Sequence, residues 1–464
     1  MHLVKLHALL VLLAAGLLLL PANSLLADDP PAADAGSGVL DATPAPTPTP
    51  TPAPTPADNG MDIWSHFRPH VEIRLKPEWA TNNNANTHGD MNVFLRTRLG
   101  LTWTADDDIS ATVILQDVHK FEFTSSGGGT VGGGGTTTLG LNTDLYVGYL
   151  LWNITDEVMF QAGRQEFSYD SQRLVGALDW VDAGRQFDAF RLRIGNAKHD
   201  AKEFSLDLFW TPLRFVGSPN PASRFAKHSR QFMGAHAQLP MEDHKLSTYL
   251  YYLNNAGGTT PDHIFTLGAF FASTAKEGLL YDAEFAIQVS KTNGVDSPGF
   301  AWAGHGNVGF ASGGMKLMGE VNMATGDIGG ATLESFTNLF PTNHNKYGYI
   351  DREDWSNTIN FAVRFFYNLD MGEDTKPISF ELSAWVFIPM RYSNANDDVS
   401  PGGSFAVGAR GWKAFEIDLL VGHQFTDVLK ASFGASIWVP GAALRVAGIK
   451  STDLYLYALI GLKY

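Results

Sequence analysis

The sequence predicts an all-β fold, a single transmembrane antiparallel β-barrel of about 18 strands with short periplasmic turns and long extracellular loops. Apolar and polar residues alternate in strand-length segments from about residue 70 to the C-terminus, and short and long connections follow one another between these segments. Apolar residues make up 44% of the chain, aromatic residues 12% and charged residues only 17%, and there are 47 glycines. This composition favours strands and turns over helices.

The first 60 residues are expected to lie outside the barrel. Residues 1–27 contain an apolar run from Ala8 to Leu20 followed by small residues, as a signal peptide does. The run is shorter than the roughly 20 residues that a membrane-spanning helix needs. Alternating threonine and proline then predict an extended, polyproline-like linker. We therefore expect a signal peptide (1–27), a disordered Pro/Thr-rich periplasmic linker (28–60) and an outer-membrane β-barrel (61–464).

The first two predicted strands and the last one show the alternation clearly. In residues 70–79, charged side chains share one parity and apolar side chains the other, so that the strand has one charged and one apolar face. Residues 92–104 repeat the pattern, with Arg96 and Arg98 opposite a row of leucines. Residues 454–464 form an apolar row that ends on Tyr464, an aromatic C-terminus typical of outer-membrane barrels.

The connections between predicted strands are alternately short and long. Short connections are predicted at 105–108, 153–156, 195–201, 240–244, 275–278, 313–314, 370–375 and 426–427, and longer ones at 124–141, 166–184, 213–229, 256–260, 293–300, 325–357, 391–412 and 440–451. With the N-terminus in the periplasm, every long connection falls on the outer side, as outer-membrane barrels require. A barrel of about 18 strands encloses an aqueous channel rather than a packed core.

Composition argues against several other functions. The formal net charge of −15 argues against nucleic-acid binding, which requires a basic surface. The chain has no cysteine, which excludes disulfides, thiolate catalysis and cysteine-ligated zinc. No serine stands in a nucleophile-elbow sequence, and His344 has no histidine partner at zinc-binding spacing. We therefore expect no enzyme activity, no metal and no cofactor.

Arginines are the residues that bear most directly on function. Those opposite the apolar face of their own strands are expected to point into the lumen, because a charge facing lipid costs about 2 to 4 kcal/mol at the membrane midplane. They are Arg74, Arg96, Arg98, Arg191, Arg193 and Arg364. In one hypothesis they stiffen the wall by pairing with acidic residues of neighbouring strands, namely Glu72, Glu78, Asp207, Glu284, Glu381, Glu416 or Asp418. In the other they form a positively charged path for an anionic solute.

Two sequence blocks resemble the alginate export family of outer-membrane barrels. They are GRQEFSYDSQRLVGALDWVDAGRQFDAFRLR at 163–193 and LFPTNHNKYGYID at 339–351. RTRLGL at 96–101 and LQD at 115–117 extend the similarity over the chain after about residue 61. The resemblance implies an 18-stranded monomeric barrel whose positively charged constriction passes the polyuronate alginate outward. Four further residues of the first block join the predicted substrate path: Asp188, and Arg164, Arg173 and Arg185 near the outer mouth, where the 166–184 loop could fold inward.

These observations predict a passive outer-membrane channel that acts as a monomer and conducts an alginate-like polysaccharide or acidic sugars. The alternatives are a general or solute-specific uptake porin, a barrel-wall enzyme, and a closed barrel that anchors the linker. Residues 28–60 are expected either to bind a periplasmic export or cell-wall partner or to act only as a spacer. The direction of transport and the native solute stay open.

Overall fold

The computed structural model describes residues 63–81, 90–123, 143–195, 203–213, 230–254, 263–291, 297–326, 334–372, 375–391, 411–446 and 449–464. The predicted signal peptide and linker lie outside the described residues, as does the predicted connection at 124–141. Eighteen strands form in this part of the chain. They are β1 Phe67–Ala80, β2 Asp90–Thr104, β3 Ile109–Phe123, β4 Asp144–Thr155, β5 Val158–Gln165, β6 Phe187–Ile194, β7 Ser205–Pro212, β8 Gln231–Pro240, β9 His244–Asn254, β10 His263–Ser273, β11 Gly278–Lys291, β12 Gly299–Ser312, β13 Met315–Ala324, β14 Thr358–Leu369, β15 Ile378–Ile388, β16 Ala414–Gln424, β17 Leu429–Pro440 and β18 Asp453–Lys463.

The eighteen strands form one closed antiparallel sheet. Each described strand is hydrogen-bonded to the strands before and after it in sequence, and β1 also pairs with β18. The closing register places Arg74 opposite Gly461 and Trp79 opposite Leu456. The predicted all-β barrel and its strand number are thus confirmed, and closure leaves no edge on which another chain could add a strand.

Helical structure in the described residues is confined to two short pieces. A 3₁₀ turn, Ile63–His66, precedes β1, and a helix α1, Ala442–Val446, follows β17. In the ranges given above, no helix is both long enough and apolar enough to cross a membrane.

The two faces of the wall differ in polarity in the way that the alternation predicts. Large apolar side chains cover the outside, where Leu99 is 53% exposed and Phe310 61%. The inward-facing side chains are often charged and yet buried: Arg96 is 1% exposed, and Glu416 and Asp418 are fully buried. A wide barrel buries such side chains only if something besides the wall occupies part of its lumen.

Two of the long connections fold back into the lumen and bury these groups. We use the name L3 for residues 166–186, between β5 and β6. We use the name L7 for residues 334–357, the described stretch of the connection after β13 that leads directly into β14. All six positive-φ residues other than glycine in the described chain lie in L3 and L7: Asp170, Gln172, Leu178, Asn345, Asp351 and Asn357. Such backbone conformations persist only where surrounding contacts impose them, so both loops have a defined shape.

Candidate functional site

L3 and L7 are joined to each other inside the barrel. Val175 and Phe340 form a parallel β-bridge, and the Gly176 N–H donates to the Phe340 carbonyl over 2.8 Å. The Trp180 indole of L3 stacks on the His344 imidazole of L7 with ring centroids 4.3 Å apart. Because backbone hydrogen bonds and ring stacking act together, the two loops form one inserted body, which narrows the lumen.

The first half of L3 is fixed to the wall by aromatic and polar contacts. The Phe167 ring lies 4.9 Å from the Phe209 ring on β7, and the Tyr169 ring stacks on His236 of β8 at 4.2 Å. The Asp170 carboxylate accepts a hydrogen bond from the His236 ring over 2.8 Å. Buried aromatic pairs of this kind hold the loop against strands β7 and β8.

Three inward arginines of β1 and β2 hold the tip of L3 from the other side. Arg74 donates to the carbonyls of Asp179 and Trp180 over 2.5 and 2.9 Å. Arg96 donates to the Asp179 carbonyl over 2.9 Å, and Arg98 donates to the Asp179 carboxylate over 2.8 Å. These three side chains therefore point into the barrel, and they set how far L3 reaches across it.

Ion pairing between inward arginines and acidic residues, one of the two sequence hypotheses, is present in the lumen. Arg96 and Arg98 both bind Glu72, Arg191 and Arg193 bind Asp207 at 2.5 and 2.7 Å, and Arg364 binds Glu381 at 2.7 Å. The other acidic candidates have different partners: Glu78 pairs with Lys76, Glu284 accepts from Ser171 and Tyr249, Asp418 accepts from Ser383, and Glu416 accepts from the L7 backbone. Much of the charge on the wall is thus compensated locally.

Asp179, at the tip of L3, is an exposed carboxylate within this basic surrounding. Its side chain is 59% exposed although it lies 2.9 Å from Arg96 and 2.8 Å from Arg98. Burial acts to raise the pKa of Asp179, but the charges of Arg96, Arg98 and Arg74 outweigh it and lower the pKa to about 2. Asp179 is therefore ionised at neutral pH, and its exposed carboxylate lies among the lumen arginines.

We expect Asp179→Asn to make the channel more selective for anions, because it removes a negative charge and leaves three arginines in place. A unit charge acts on an ion about 6 Å away with about 0.7 kcal/mol in water, which is roughly threefold for each ion. Because the loss favours chloride and disfavours potassium, the chloride-to-potassium permeability ratio should rise by up to about tenfold. The zero-current potential in a KCl gradient across a planar bilayer measures this ratio. Asp427→Asn, in the exposed turn between β16 and β17, is the matched control. An unchanged potential in Asp179→Asn would remove Asp179 from the ion path.

The sequence predicts Arg173 near the outer mouth, but in the structure this residue lies deeper in the barrel. Its Nη2 donates to Glu320 on β13 over 2.6 Å, and the residue is only 3% exposed. Glu320 also lies 3.6 Å from Arg364, which is in the middle of β14. The predicted position is corrected because L3 folds farther into the barrel than its place in the sequence indicates.

Arg185, the last arginine of L3, connects the two loops through backbone carbonyls. It donates to the Gly176 carbonyl over 3.2 Å and to the Pro341 carbonyl of L7 over 2.8 Å. Burial lowers the pKa of Arg185 to about 10, so the guanidinium stays charged at neutral pH. Its contacts assign Arg185 to fastening L3 onto L7.

Arg164 and Asp188 lie on the outer face of the wall, which corrects their predicted place in the substrate path. They face each other across β5 and β6, and Arg164 Nε donates to the Asp188 carboxylate over 2.8 Å. Asp188 shares its strand face with Phe190, which is 52% exposed. Since successive side chains of a strand alternate, Asp188 points away from the lumen into which Arg191 and Arg193 point.

L7 is fastened to β15 and β16 by two buried carboxylates. Glu416 accepts hydrogen bonds from the N–H groups of Tyr349 and Ile350 over 2.5 and 2.8 Å, and Glu381 accepts one from the Tyr349 hydroxyl over 2.8 Å. Gly348 has a φ of +89°, and a Cβ atom there would lie 2.5 Å from the Glu416 carboxylate. Glycine is thus required where L7 approaches the wall.

Sequence reasoning missed several charged residues of the lumen, among them Asp179, Glu320 and Lys346. Glu320 could have been found by alternation, because Leu317 and Val321 on the opposite parity of β13 face outward. Asp179 and Lys346 lie inside the two blocks that resemble the alginate export family, but in loops without a strand period. Alternation gives no orientation to a loop side chain.

Comparisons with known proteins agree with this architecture. The alginate export family model matches residues 67–457. Three similar solved structures are from Pseudomonas aeruginosa, and the first is OccK11 (OpdR), with 12% identity, a TM-score of 0.56, and coverage of 86% of this chain and 97% of that chain. OccK5 (OpdH) has 9% identity, a TM-score of 0.61, and coverage of 87% of this chain and 99% of that chain. OpdK with vanillate has 10% identity, a TM-score of 0.54, and coverage of 85% of this chain and 98% of that chain. No curated protein matches the sequence.

At identities of this size the solved structures show the fold alone, whereas the family model covers most of the chain. The resemblance seen in the sequence is therefore confirmed. The chain forms a closed barrel with an apolar outside and a charged lumen. Because the family model matches residues 67–457, this chain belongs to the alginate export family and is a β-barrel channel of the outer membrane.

Proposed function

We propose that this channel conducts acidic saccharides, an alginate-like polyuronate or shorter acidic sugars, by passive diffusion. The observation that carries the proposal is a band of cationic side chains where L3 and L7 cross the lumen. It runs from the arginines of β1 and β2, through Arg173 on L3, to Lys346 on L7 and Arg364 on β14. A row of such groups favours passage of anions, as rings of Arg and Lys do in anion-selective pores.

Pairing with the wall does not exhaust the hydrogen-bonding capacity of these arginines. A guanidinium has five N–H donors, and the buried Arg74 Nε, Arg98 Nη2 and Arg173 Nε have no hydrogen-bond partner among the residues that the structure describes. We expect a uronate moving along the band to compete for these guanidinium groups by exchange with wall carboxylates. Such exchange allows binding and release in small steps, as conduction requires.

Efflux from vesicles tests the proposal. Liposomes containing the purified protein are loaded with a labelled oligouronate or with a neutral oligosaccharide of the same length. We expect the oligouronate to leave faster, because charge is the main difference between the two solutes. Liposomes without protein are the control. Equal or slower efflux of the acidic solute would contradict an anionic substrate.

Uptake of small acidic solutes is a second candidate function, and one observation favours it. L3 and L7 are joined by backbone hydrogen bonds, so the remaining lumen is better suited to small solutes than to a wide polymer. The same vesicles distinguish the two functions when chain length is varied. Passage of monomeric uronates with exclusion of longer chains would favour the uptake porin.

We further propose that the channel is non-enzymatic, works as a monomer in outer-membrane lipid and uses no cofactor. Within the described ranges, no group of three or more His, Asp or Glu side chains is arranged to hold a metal ion. For residues 28–60 we propose either a spacer without specific contacts or a contact with a periplasmic export or cell-wall partner. A pull-down with and without these residues tests it, and identical partners from both proteins would argue against such a contact.

A further inference from the structure

Glu416 and Asp418 are two carboxyl groups of β16 that lie side by side inside the barrel. They are two residues apart on one strand, so their side chains share the inward face, and both residues are fully buried. In the described part of the chain, neither forms an ion pair with a lysine or an arginine. Glu381 of the neighbouring strand differs, because Arg364 binds it at 2.7 Å. Glu416 and Asp418 are therefore a buried acidic pair without a cation of its own.

One oxygen of each carboxyl group has a donor and the other has none. Glu416 Oε1 accepts hydrogen bonds from the Tyr349 and Ile350 N–H groups of L7 over 2.5 and 2.8 Å, and Asp418 Oδ2 accepts one from the Ser383 hydroxyl over 3.1 Å. Glu416 Oε2 and Asp418 Oδ1 are buried and have no donor with hydrogen-bonding geometry among the described residues. The two carboxyl groups do lie in hydrogen-bond contact with each other. Such a contact is a hydrogen bond only if one of the two groups carries a proton.

L7 covers this pair and separates it from the water of the lumen. Gly348 lies directly on Glu416, since a Cβ atom there would be 2.5 Å from Glu416 Oε2. Tyr349, the next residue, is fully buried and donates its hydroxyl to Glu381 over 2.8 Å. Two ionised carboxylates in contact and away from water repel each other strongly. The pair therefore holds one proton in common and carries a single negative charge.

The groups around the pair offer no free positive charge. The charged and titratable side chains that face it or its neighbours are Glu381 of β15, Arg364 of β14, Asp351 and His344 of L7, Tyr457 of β18 and Lys76 of β1. Arg364 and Lys76 are already engaged by carboxylates of their own. From β17 the pair meets the neutral Ser436 side chain, directly across from Asp418. A second negative charge on the pair would thus stay uncompensated.

We propose that Glu416 and Asp418 form a proton-dependent latch that holds L7 in the lumen. With one shared proton, Glu416 keeps its two hydrogen bonds to the L7 backbone. When alkaline solvent takes this proton, the two carboxylates repel each other, Glu416 turns away, and residues 348–350 of L7 leave the wall. The pore therefore conducts more at alkaline pH than at neutral pH. This regulation goes beyond the proposed function, because it changes the opening for any solute.

Single-channel conductance at pH 7 and pH 10 in a planar bilayer tests the latch. We expect the conductance of the wild-type protein to rise by about twofold or more between these values, because L7 then no longer narrows the 18-stranded wall. Asp418→Asn and Glu416→Gln each replace the shared proton by an amide N–H that donates to the remaining carboxylate. Both variants should show no rise. Glu277→Gln, in the exposed turn between β10 and β11, is the matched control and should rise as the wild type does.

Two results would overturn the latch. One is a wild-type conductance that does not rise between pH 7 and pH 10. The other is an equal rise in the wild type and in either amide variant, which would assign the response to other groups. The wild-type comparison keeps the test valid even if the amide variants fail to fold. Selective efflux of oligouronates at pH 7 is measured with the latch closed, so failure of the latch and failure of the proposed function are separate outcomes.

Discussion

Replacing most of L7, residues 335–356, by a short Gly-Ser linker is expected to raise the single-channel conductance several-fold. L7 occupies the lumen through contacts with L3, β15 and β16, and an 18-stranded wall without it encloses a wide aqueous channel. β13 and β14 are adjacent antiparallel strands, so a short linker can still connect them. Conductance in a planar bilayer measures the effect, and the selectivity for anions should fall at the same time.

The matched control deletes an equal number of residues from the 28–60 tract and should leave conductance at the wild-type value. Migration of heated and unheated samples on a gel shows whether each barrel has folded. A folded L7-shortened protein with wild-type conductance would mean that L7 does not limit the ion path.

Asp207→Ala is expected to cause a large loss of stability of the wall. Asp207 is 2% exposed and binds both Arg191 and Arg193, so its removal leaves two guanidinium groups close together without their carboxylate. Removing one partner of a buried ion pair costs about 3 to 5 kcal/mol. Urea-induced unfolding of the barrel in lipid vesicles should show a correspondingly lower midpoint.

A variant that also lacks both arginines provides the control for this prediction. Asp207→Ala combined with Arg191→Met and Arg193→Met takes away both uncompensated charges and should recover much of the lost stability. If Asp207→Ala unfolds at the wild-type midpoint, or if the triple variant is less stable than the single one, the Asp207 ion pairs do not hold the wall together.

Alternation predicted the wall accurately because a barrel in lipid imposes it on every strand. The expected strand at residues 70–79 lies within β1, Phe67–Ala80, and the expected strand at residues 92–104 lies within β2, Asp90–Thr104. The same rule placed Arg191 and Arg193 on the inward parity of β6, and both bind Asp207 in the structure. Applied one step further, it would also have oriented Arg164, since Gln161 and Gln165 on the other parity of β5 are buried inside.

The inserted loops were harder to predict because their positions depend on contacts between distant parts of the chain. Arg173 and Glu320 are separated by 147 residues, and no local pattern brings them together. The sequence indicated that the 166–184 loop could fold inward, but not that L7 would join it through Val175 and Phe340. The position of Lys346 follows from this junction.

The zero-current potential of the wild-type protein tests the central claim most directly. The purified protein is inserted into a planar bilayer that separates two KCl solutions of different concentration at pH 7. The band of cations formed by β1, β2, L3, L7 and β14 predicts a conducting pore whose potential lies on the chloride-selective side of zero. A potential on the potassium-selective side, or a folded protein that carries no current, would contradict it.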